Sequence, residues 1–195
     1  MTFRRLFGIL SRNGVRLTTV KLASRLFDVI NTRAYAVLFG IEVGKGSVIK
    51  HGAKLRTGGG RIKIGNNCVI HSLSLILAHG GSVELGDSVS LNPFSILYGH
   101  GGLRIGDRVL IAAGSVIIPA NHSFVAGRPI RGQGLTCEGI AIGDDVWIGA
   151  GCQVLDGSRI EDGAIIAAGC VVAGQHVQQN WIFGGVPGKM IGIRK

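Results

Sequence analysis

The stretch IGDDVWIGAGCQVLDGSRIEDGAIIAAGCVV, residues 142–172, carries an aliphatic residue at every sixth position: Ile142, Ile148, Val154, Ile160, Ile166 and Val172. Two residues before four of these anchors stands a small side chain, Cys152, Ser158, Ala164 or Cys170. Side chains alternate along a strand, so the small residue and its anchor point the same way. An amphipathic helix is excluded, because its apolar face returns with a period of 3.6 rather than six. Short strands that recur at fixed spacing cannot bury a face alone and must stack on one another as a solenoid.

The same frame extends towards the start of the chain. Its anchors are Val43, Ile49 and Leu55, then Ile64, Ile70 and Ile76, then Leu85, Leu91 and Leu97, then Ile105, Ile111 and Ile117. Small residues again precede many of them: Ser47, Ala53, Cys68, Ser74, Ser95 and Ser115. Extra residues enter after Leu55, Ile76, Leu97 and Ile117, always after a third hexapeptide. Three six-residue sides therefore make one triangular coil, and the insertions stack at a single corner. Gly58 to Gly60, Gly80–Gly81, Gly101–Gly102 and the long loop from Asn121 to Gly139 mark it. The expected fold is all-β, a parallel β-helix of about six triangular coils, roughly 29 Å tall at ~4.8 Å per coil.

Composition agrees. The 195 residues suffice for one domain with a core, and 33 glycines against 4 prolines fit many tight turns without a collagen period. Lys and Arg outnumber Asp and Glu by 21 to 11. Much of that excess is local: Arg4, Arg5, Arg12, Arg16, Lys21, Arg25 and Arg33 face only Asp28. Such an arm points to an anionic surface, with peripheral membrane contact preferred over nucleic acid. Its apolar runs are broken too often to span a bilayer. Residues 17–32 place Leu22, Leu26, Val29 and Ile30 on one helical face, suited either to capping the prism or to lying in a membrane interface. The division expected is an arm over 1–40, the β-helix over 41–181 and a tail over 182–195. Cys68, Cys137, Cys152 and Cys170 form no C-x-x-C pair and follow no signal peptide, which suggests a reducing cytoplasm without disulfides.

The insertion corner is where chemistry is expected. His79 and His100 each lie three residues after an anchor in successive coils, so they should sit one above the other. His122 opens the long loop, and a loop that long in an economical solenoid is usually functional. An imidazole titrating near neutrality suits a general base for a hydroxyl nucleophile. The competing machinery is thin. Three cysteines fall on inward positions, no G-x-S-x-G elbow occurs, and Asp87, Asp107 and Asp144–Asp145 read as turn residues. His51, His71 and His176 lie elsewhere and are given no role.

The run Ile142 to Gly151, preceded by Asn121-His122-Ser123 and Gln133-Gly134 and followed by the tail Gly184-Gly-Val-Pro-Gly-Lys189, resembles the hexapeptide-repeat acyltransferases. The likeness covers roughly residues 41–191 and is nearest to the galactoside, maltose and exopolysaccharide O-acetyltransferase branch. It implies a left-handed coil, a homotrimer with active sites between subunits, and acetyl-CoA as acyl donor with no metal required. His122 matches the family's catalytic base, and Asn92 matches an asparagine lining the acceptor pocket. His100 falls where galactoside-type enzymes carry an acidic residue. Trp147 matches the tryptophan beside the coenzyme arm, while Gly149, Ala150, Ala168 and Gly169 match positions whose backbone meets pantetheine. Lys189 is in place near the coenzyme phosphates. Ala173-Gly174 stands where the family often has Thr-Lys, and Gly192 where it often has Arg, with Arg194 and Lys195 nearby.

The expected activity is transfer of acetyl to a saccharide hydroxyl, with a cell-envelope or exopolysaccharide intermediate preferred because the arm would hold the enzyme near lipid-linked acceptors. The alternatives are N-acylation of an amino sugar, a zinc site of β-helical carbonic anhydrase type built from His79, His100 and His122, and a scaffold whose site has decayed.

Overall fold

The computed structural model describes residues 3–195, with side chains from residue 19 onward. One helix, α1 (Phe3–Leu38), precedes a three-sided parallel β-helix. The first face is a seven-stranded sheet running from Glu42–Val43 to His176–Val177. An eight-stranded second face begins at Val48–Ile49, and a six-stranded third face spans Lys54–Arg56 to Val171–Ala173.

The six-residue frame is the register. Val43, Ile64, Leu85, Ile105, Ile142 and Ile160 stack along the first face. Ile49, Ile70, Leu91, Ile111, Ile148 and Ile166 stack along the second, and Leu55, Ile76, Leu97, Ile117, Val154 and Val172 along the third. The small inward residues are all buried beside them. Their hydroxyls are satisfied by carbonyls at the corners: Ser47 donates to Gly65 at 2.6 Å, Ser95 to Ala112 at 2.9 Å and Ser115 to Gly149 at 2.9 Å. A serine is thus tolerated in an apolar shaft because each corner offers an acceptor.

The prism extends further than Val172. His176–Val177 stacks on Arg159–Ile160, and Trp181–Gly184 stacks on Ile165–Ile166, giving an incomplete seventh coil. Lys189–Ile193 then folds back antiparallel on Trp181–Gly184. The frame does resume at Val177 and Phe183, six apart, but after five residues instead of six. A search for insertions misses a deletion.

Between the first and second faces, carboxylates bridge successive coils. The Asn66, Asp87, Asp107 and Asp144 backbone N–H groups donate to Asp87, Asp107, Asp144 and Asp162 respectively, at 2.7 to 2.8 Å. Asp87, Asp107 and Asp144 are turn residues, as their places after glycine suggest, and Asp162 continues the ladder after Glu161. Hydrogen bonds from the Asn66 backbone and side chain hold the Asp87 carboxyl below its ordinary value.

Helix α1 runs well beyond residues 17–32 at both ends and packs on the first coil through its polar side. Asp28, only 4% exposed, pairs with the Lys50 ammonium at 2.7 Å and accepts the His51 N–H at 3.1 Å. Asn31 donates to the Ile49 and Lys50 carbonyls, Thr32 Oγ1 accepts from the Ile49 N–H, and the Tyr35 hydroxyl donates to Ala53. At 100° per residue these four side chains share one side of the helix. Leu22, Leu26, Val29 and Ile30 do share a face, but it is the opposite one and is exposed. The first coil exposes backbone groups with no coil below to pair them, so polar side chains meet them, while Tyr35 also packs against the core. The side chains of Arg4, Arg5, Arg12 and Arg16 lie outside the described residues.

Candidate active site

At the insertion corner, His79 and His100 stack as their spacing requires, with ring centroids 4.5 Å apart and planes inclined by 19°. Tyr98, on the third face, meets both edge-on at 5.0 and 5.6 Å. Sequence reasoning passed over Tyr98, although it lies two residues before His100 and points outward by alternation. His100 Nδ1 is buried without a hydrogen-bond partner, alone in this among the described side chains. Burial, and then the neighbouring His79, hold the His100 imidazole below the ordinary histidine pKa. The lowered pKa favours the neutral imidazole at pH 7.

His122 lies on the next coil, in a short antiparallel ladder where Asn121 faces Thr136 and His122 faces Leu135. The Ser123 N–H donates to the Gly134 carbonyl at 3.1 Å. Gln133 ties the rest of the loop: its Oε1 accepts from the Val125 N–H at 2.7 Å, and its Nε2 donates to the carbonyls of Val125, Arg128 and Pro129. Gln133-Gly134 was therefore an informative part of the motif. The loop returns to the prism at Asp156, a buried carboxylate accepting from the Glu138 and Gly139 N–H groups at 2.9 Å. Asp156 had no sequence signal, since it reads as one more turn aspartate. His122 is exposed on this braced ladder, with an imidazole free to meet a ligand. His79, His100 and His122 do not converge. Among the described residues no group of three His, Cys, Asp or Glu is placed to hold a metal ion.

The corner between the second and third faces holds the other candidates. Asn92 is half-buried, and its Nδ2 donates to the Ile111 carbonyl at 2.9 Å, so the amide nitrogen is committed to the coil ladder. Ala150 and Ala168 are exposed one above the other, with the Gly169 N–H donating to the Ala150 carbonyl at 2.8 Å. Gly169 has φ +70° and open space around it. Gly149 is different. It is buried, and a Cβ there would stand 2.6 Å from the Ala168 nitrogen. Close coil packing alone requires that glycine.

Leu73 and Phe94 occupy the place in their coils that Gly52, Gly114, Gly151 and Gly169 occupy in others, three residues past the second-face anchor. Both hold left-handed backbone, φ +65° and +63°, and both side chains are exposed, by 54% and 63%. Bulky residues pay about 1 kcal/mol or more for that conformation, and strain of this kind collects at ligand sites.

Trp147 is half-exposed on the second face, above Leu110 and below Ile165. With Arg108, Asp145 and Arg194 these line a shallow hollow of about 240 Å³. Arg194 Nη1 pairs with Asp145 Oδ2 at 2.9 Å, so it is already partnered beside the tryptophan. Lys189 is exposed at the start of the returning strand. A larger hollow of about 360 Å³ lies along the charged first face, beside Glu138 and Gly157 and between Arg104 and Arg159.

Buried thiols take no part. Burial raises the Cys68 and Cys152 thiols, and burial with the neighbouring Cys152 lifts Cys170 to about 11. All four cysteines are free, and Cys137 alone is exposed.

Residues 139–174 match the bacterial transferase hexapeptide family of six repeats. A putative acetyltransferase, YJL218W of Saccharomyces cerevisiae, is 37% identical over 91 residues, covering 44% of this chain and 46% of its own length. The putative lipopolysaccharide biosynthesis O-acetyl transferase WbbJ of Escherichia coli is 34% identical over 95 residues, covering 45% and 48%. The chain thus spans about half the length of the curated relatives it matches. In three dimensions it resembles the N-acyltransferase AntD of Bacillus cereus, solved with dTDP and 3-hydroxybutyryl-CoA. The TM-score is 0.72 at 24% identity, over 84% of this chain and 88% of that one, a likeness of fold. Residues 139–174 thus carry the hexapeptide repeat of bacterial transferases, and the chain is similar in sequence to acetyltransferases and in fold to an N-acyltransferase.

Proposed function

We propose that the protein is an acetyl-CoA-dependent O-acetyltransferase acting on a saccharide hydroxyl. The observation that carries this reading is the placement of His122, an exposed imidazole on a ladder braced by Gln133 and anchored at Asp156. The likeness to WbbJ supports a saccharide acceptor of the cell envelope.

The chemistry needs one base and one coenzyme groove. His122 takes the proton of the acceptor hydroxyl as its oxygen attacks the thioester carbonyl. Collapse of the tetrahedral adduct expels the coenzyme thiolate, and the imidazolium returns the proton to that sulfur. The exposed edge of Ala150, Ala168 and Gly169 lets pantetheine lie against the main chain, and Trp147 flanks it. Lys189 is the cation available to the coenzyme phosphates. Asn92 offers its carbonyl oxygen to the acceptor, and His100 stands where an acidic residue stands in galactoside-type enzymes.

A homotrimer completes the site. Most outward residues of the third face are apolar, Leu75, Leu77, Ile96, Val116, Ile118, Leu155 and Val171 among them, with Lys54, Arg56 and Gln153 as polar exceptions, while the first face presents Arg61, Lys63, Arg104 and Arg159. An apolar face beside a charged one favours association through the former, and cyclic closure places each corner against a neighbour. Incubating the protein with acetyl-CoA and paired glycan acceptors, one set bearing only hydroxyls and one a primary amine, tests the proposal. Acetyl ester on the hydroxyl set is expected; product confined to the amine set would replace it with N-acylation.

A further inference from the structure

We infer that the outward face of α1 is a docking surface for an anionic membrane. The inward face is fully occupied, with Asp28, Asn31, Thr32 and Tyr35 holding the backbone of the first coil. Opposite it run Leu22, Leu26, Val29, Ile30 and Val37, between 40% and 80% exposed. Five large aliphatic side chains on one side of a helix are more than the scattered apolar residues of an ordinary surface.

Charge decides between the possible occupants. Arg33 falls within the apolar stripe by helical geometry, with Arg25 at its margin. Residues 1–39 carry seven Arg and Lys against a single acid, Asp28, and Lys50 already neutralises that acid. A second copy of the helix packed on this stripe would bring like charges together in a desolvated contact, which is costly. An anionic headgroup layer satisfies both features at once. Aliphatic side chains enter the interface while Arg and Lys reach the phosphates. The contact is superficial, since no described helix is long and apolar enough to cross a bilayer.

The bonds from α1 to Ile49, Lys50, His51 and Ala53 make the helix a fixed platform under the prism. His122 follows the fourth coil, so it stands about three coil rises, ~14 Å, beyond the coil that carries the helix. With the helix itself about 10 Å thick, His122 would stand roughly 24 Å from the headgroups, within reach of a glycan extended from a lipid anchor, a consequence that rests on the acyltransferase reading; the docking itself does not.

Sedimentation of the full chain with vesicles tests the docking. The vesicles are phosphatidylcholine alone or phosphatidylcholine mixed with phosphatidylglycerol. The chain should bind the mixed vesicles, bind phosphatidylcholine alone more weakly, and lose affinity as salt rises. Leu26→Glu with Ile30→Glu should cut partitioning by about tenfold or more while the thermal midpoint stays nearly the same, because both side chains are more than half exposed. Absence of wild-type binding, or equal binding by the double variant, would overturn the inference. So would a smaller oligomer for the double variant by light scattering without lipid, which would assign the stripe to self-association. Vesicle binding needs neither acceptor nor coenzyme, so its failure leaves the transfer reading standing, and failed transfer leaves docking standing.

Discussion

The imidazoles of His79 and His100 lie face to face across one coil step, 4.5 Å between centroids, with Tyr98 closing one side. Two stacked imidazoles resist sharing a positive charge, and burial adds to the penalty on His100. The stack forms a shelf on which the His100 imidazole is held below the ordinary histidine pKa. It stands beside the loop that carries His122, and the two together define the acceptor side of the proposed site.

That shelf predicts a pH dependence of stability. The folded pKa of His100 lies below its unfolded value, so below the ordinary histidine range the unfolded chain binds the proton that the folded chain resists. Stability is complete above about pH 6.5 and declines as pH falls from there towards the lowered folded value. Thermal midpoints between pH 5 and 8 should show the decline in the wild type and a flatter profile in His100→Phe. Parallel profiles would contradict the assignment.

Asp156→Ala removes the acceptor for two loop N–H groups buried at the root of the His122 loop. The expected cost is about 1–3 kcal/mol in denaturant unfolding, together with faster proteolysis within 121–139. Gln133→Ala should leave the midpoint almost unchanged, because Gln133 braces an exposed loop. It should instead lower the transfer rate by about tenfold through misplacement of His122. Equal rates for Gln133→Ala and wild type would show that the brace is irrelevant to chemistry.

Gly149 and Ala150 are adjacent yet should behave oppositely. Gly149→Ala forces a Cβ against the Ala168 backbone, and a loss of about 1–3 kcal/mol is expected whether or not coenzyme is present. Ala150→Trp adds bulk to an exposed edge, so the midpoint should hold while the Kd for CoA by calorimetry rises about tenfold or more. Unchanged CoA affinity in Ala150→Trp would move the pantetheine groove elsewhere.

Phe94→Gly relieves a left-handed backbone strain and should raise stability slightly, by up to about 1 kcal/mol after the unfolded-state entropy of glycine is counted. If the strain serves acceptor binding, KM for the acceptor rises while kcat holds. A variant that gains stability with an unchanged KM would mean that Phe94 serves no ligand.

The coil register was legible in the sequence because one side chain in six fixes which way every neighbour points. Ile142 to Val172 alone defined the period, and the breaks after Leu55, Ile76, Leu97 and Ile117 located the corner and hence the His79–His100 stack. The seventh coil was hidden by a five-residue step from Val172 to Val177. The helix misled for a different reason: periodicity shows that Leu22, Leu26, Val29 and Ile30 share a face but not which way that face turns. Asp28, Asn31, Thr32 and Tyr35 carried the answer, as partners for backbone groups that no sequence pattern displays. Within the site, His122 was legible from the loop it opens, whereas Asp156 and Tyr98 act through contacts between coils and look ordinary in the chain.

The central claim is that His122 moves the acceptor's proton, and its most direct measurement is the acetyl-transfer rate of His122→Ala beside its CoA affinity. Loss of the general base should lower kcat by about 10²–10⁴-fold with a Kd for CoA close to that of the wild type. Transfer at an undiminished rate would contradict the account.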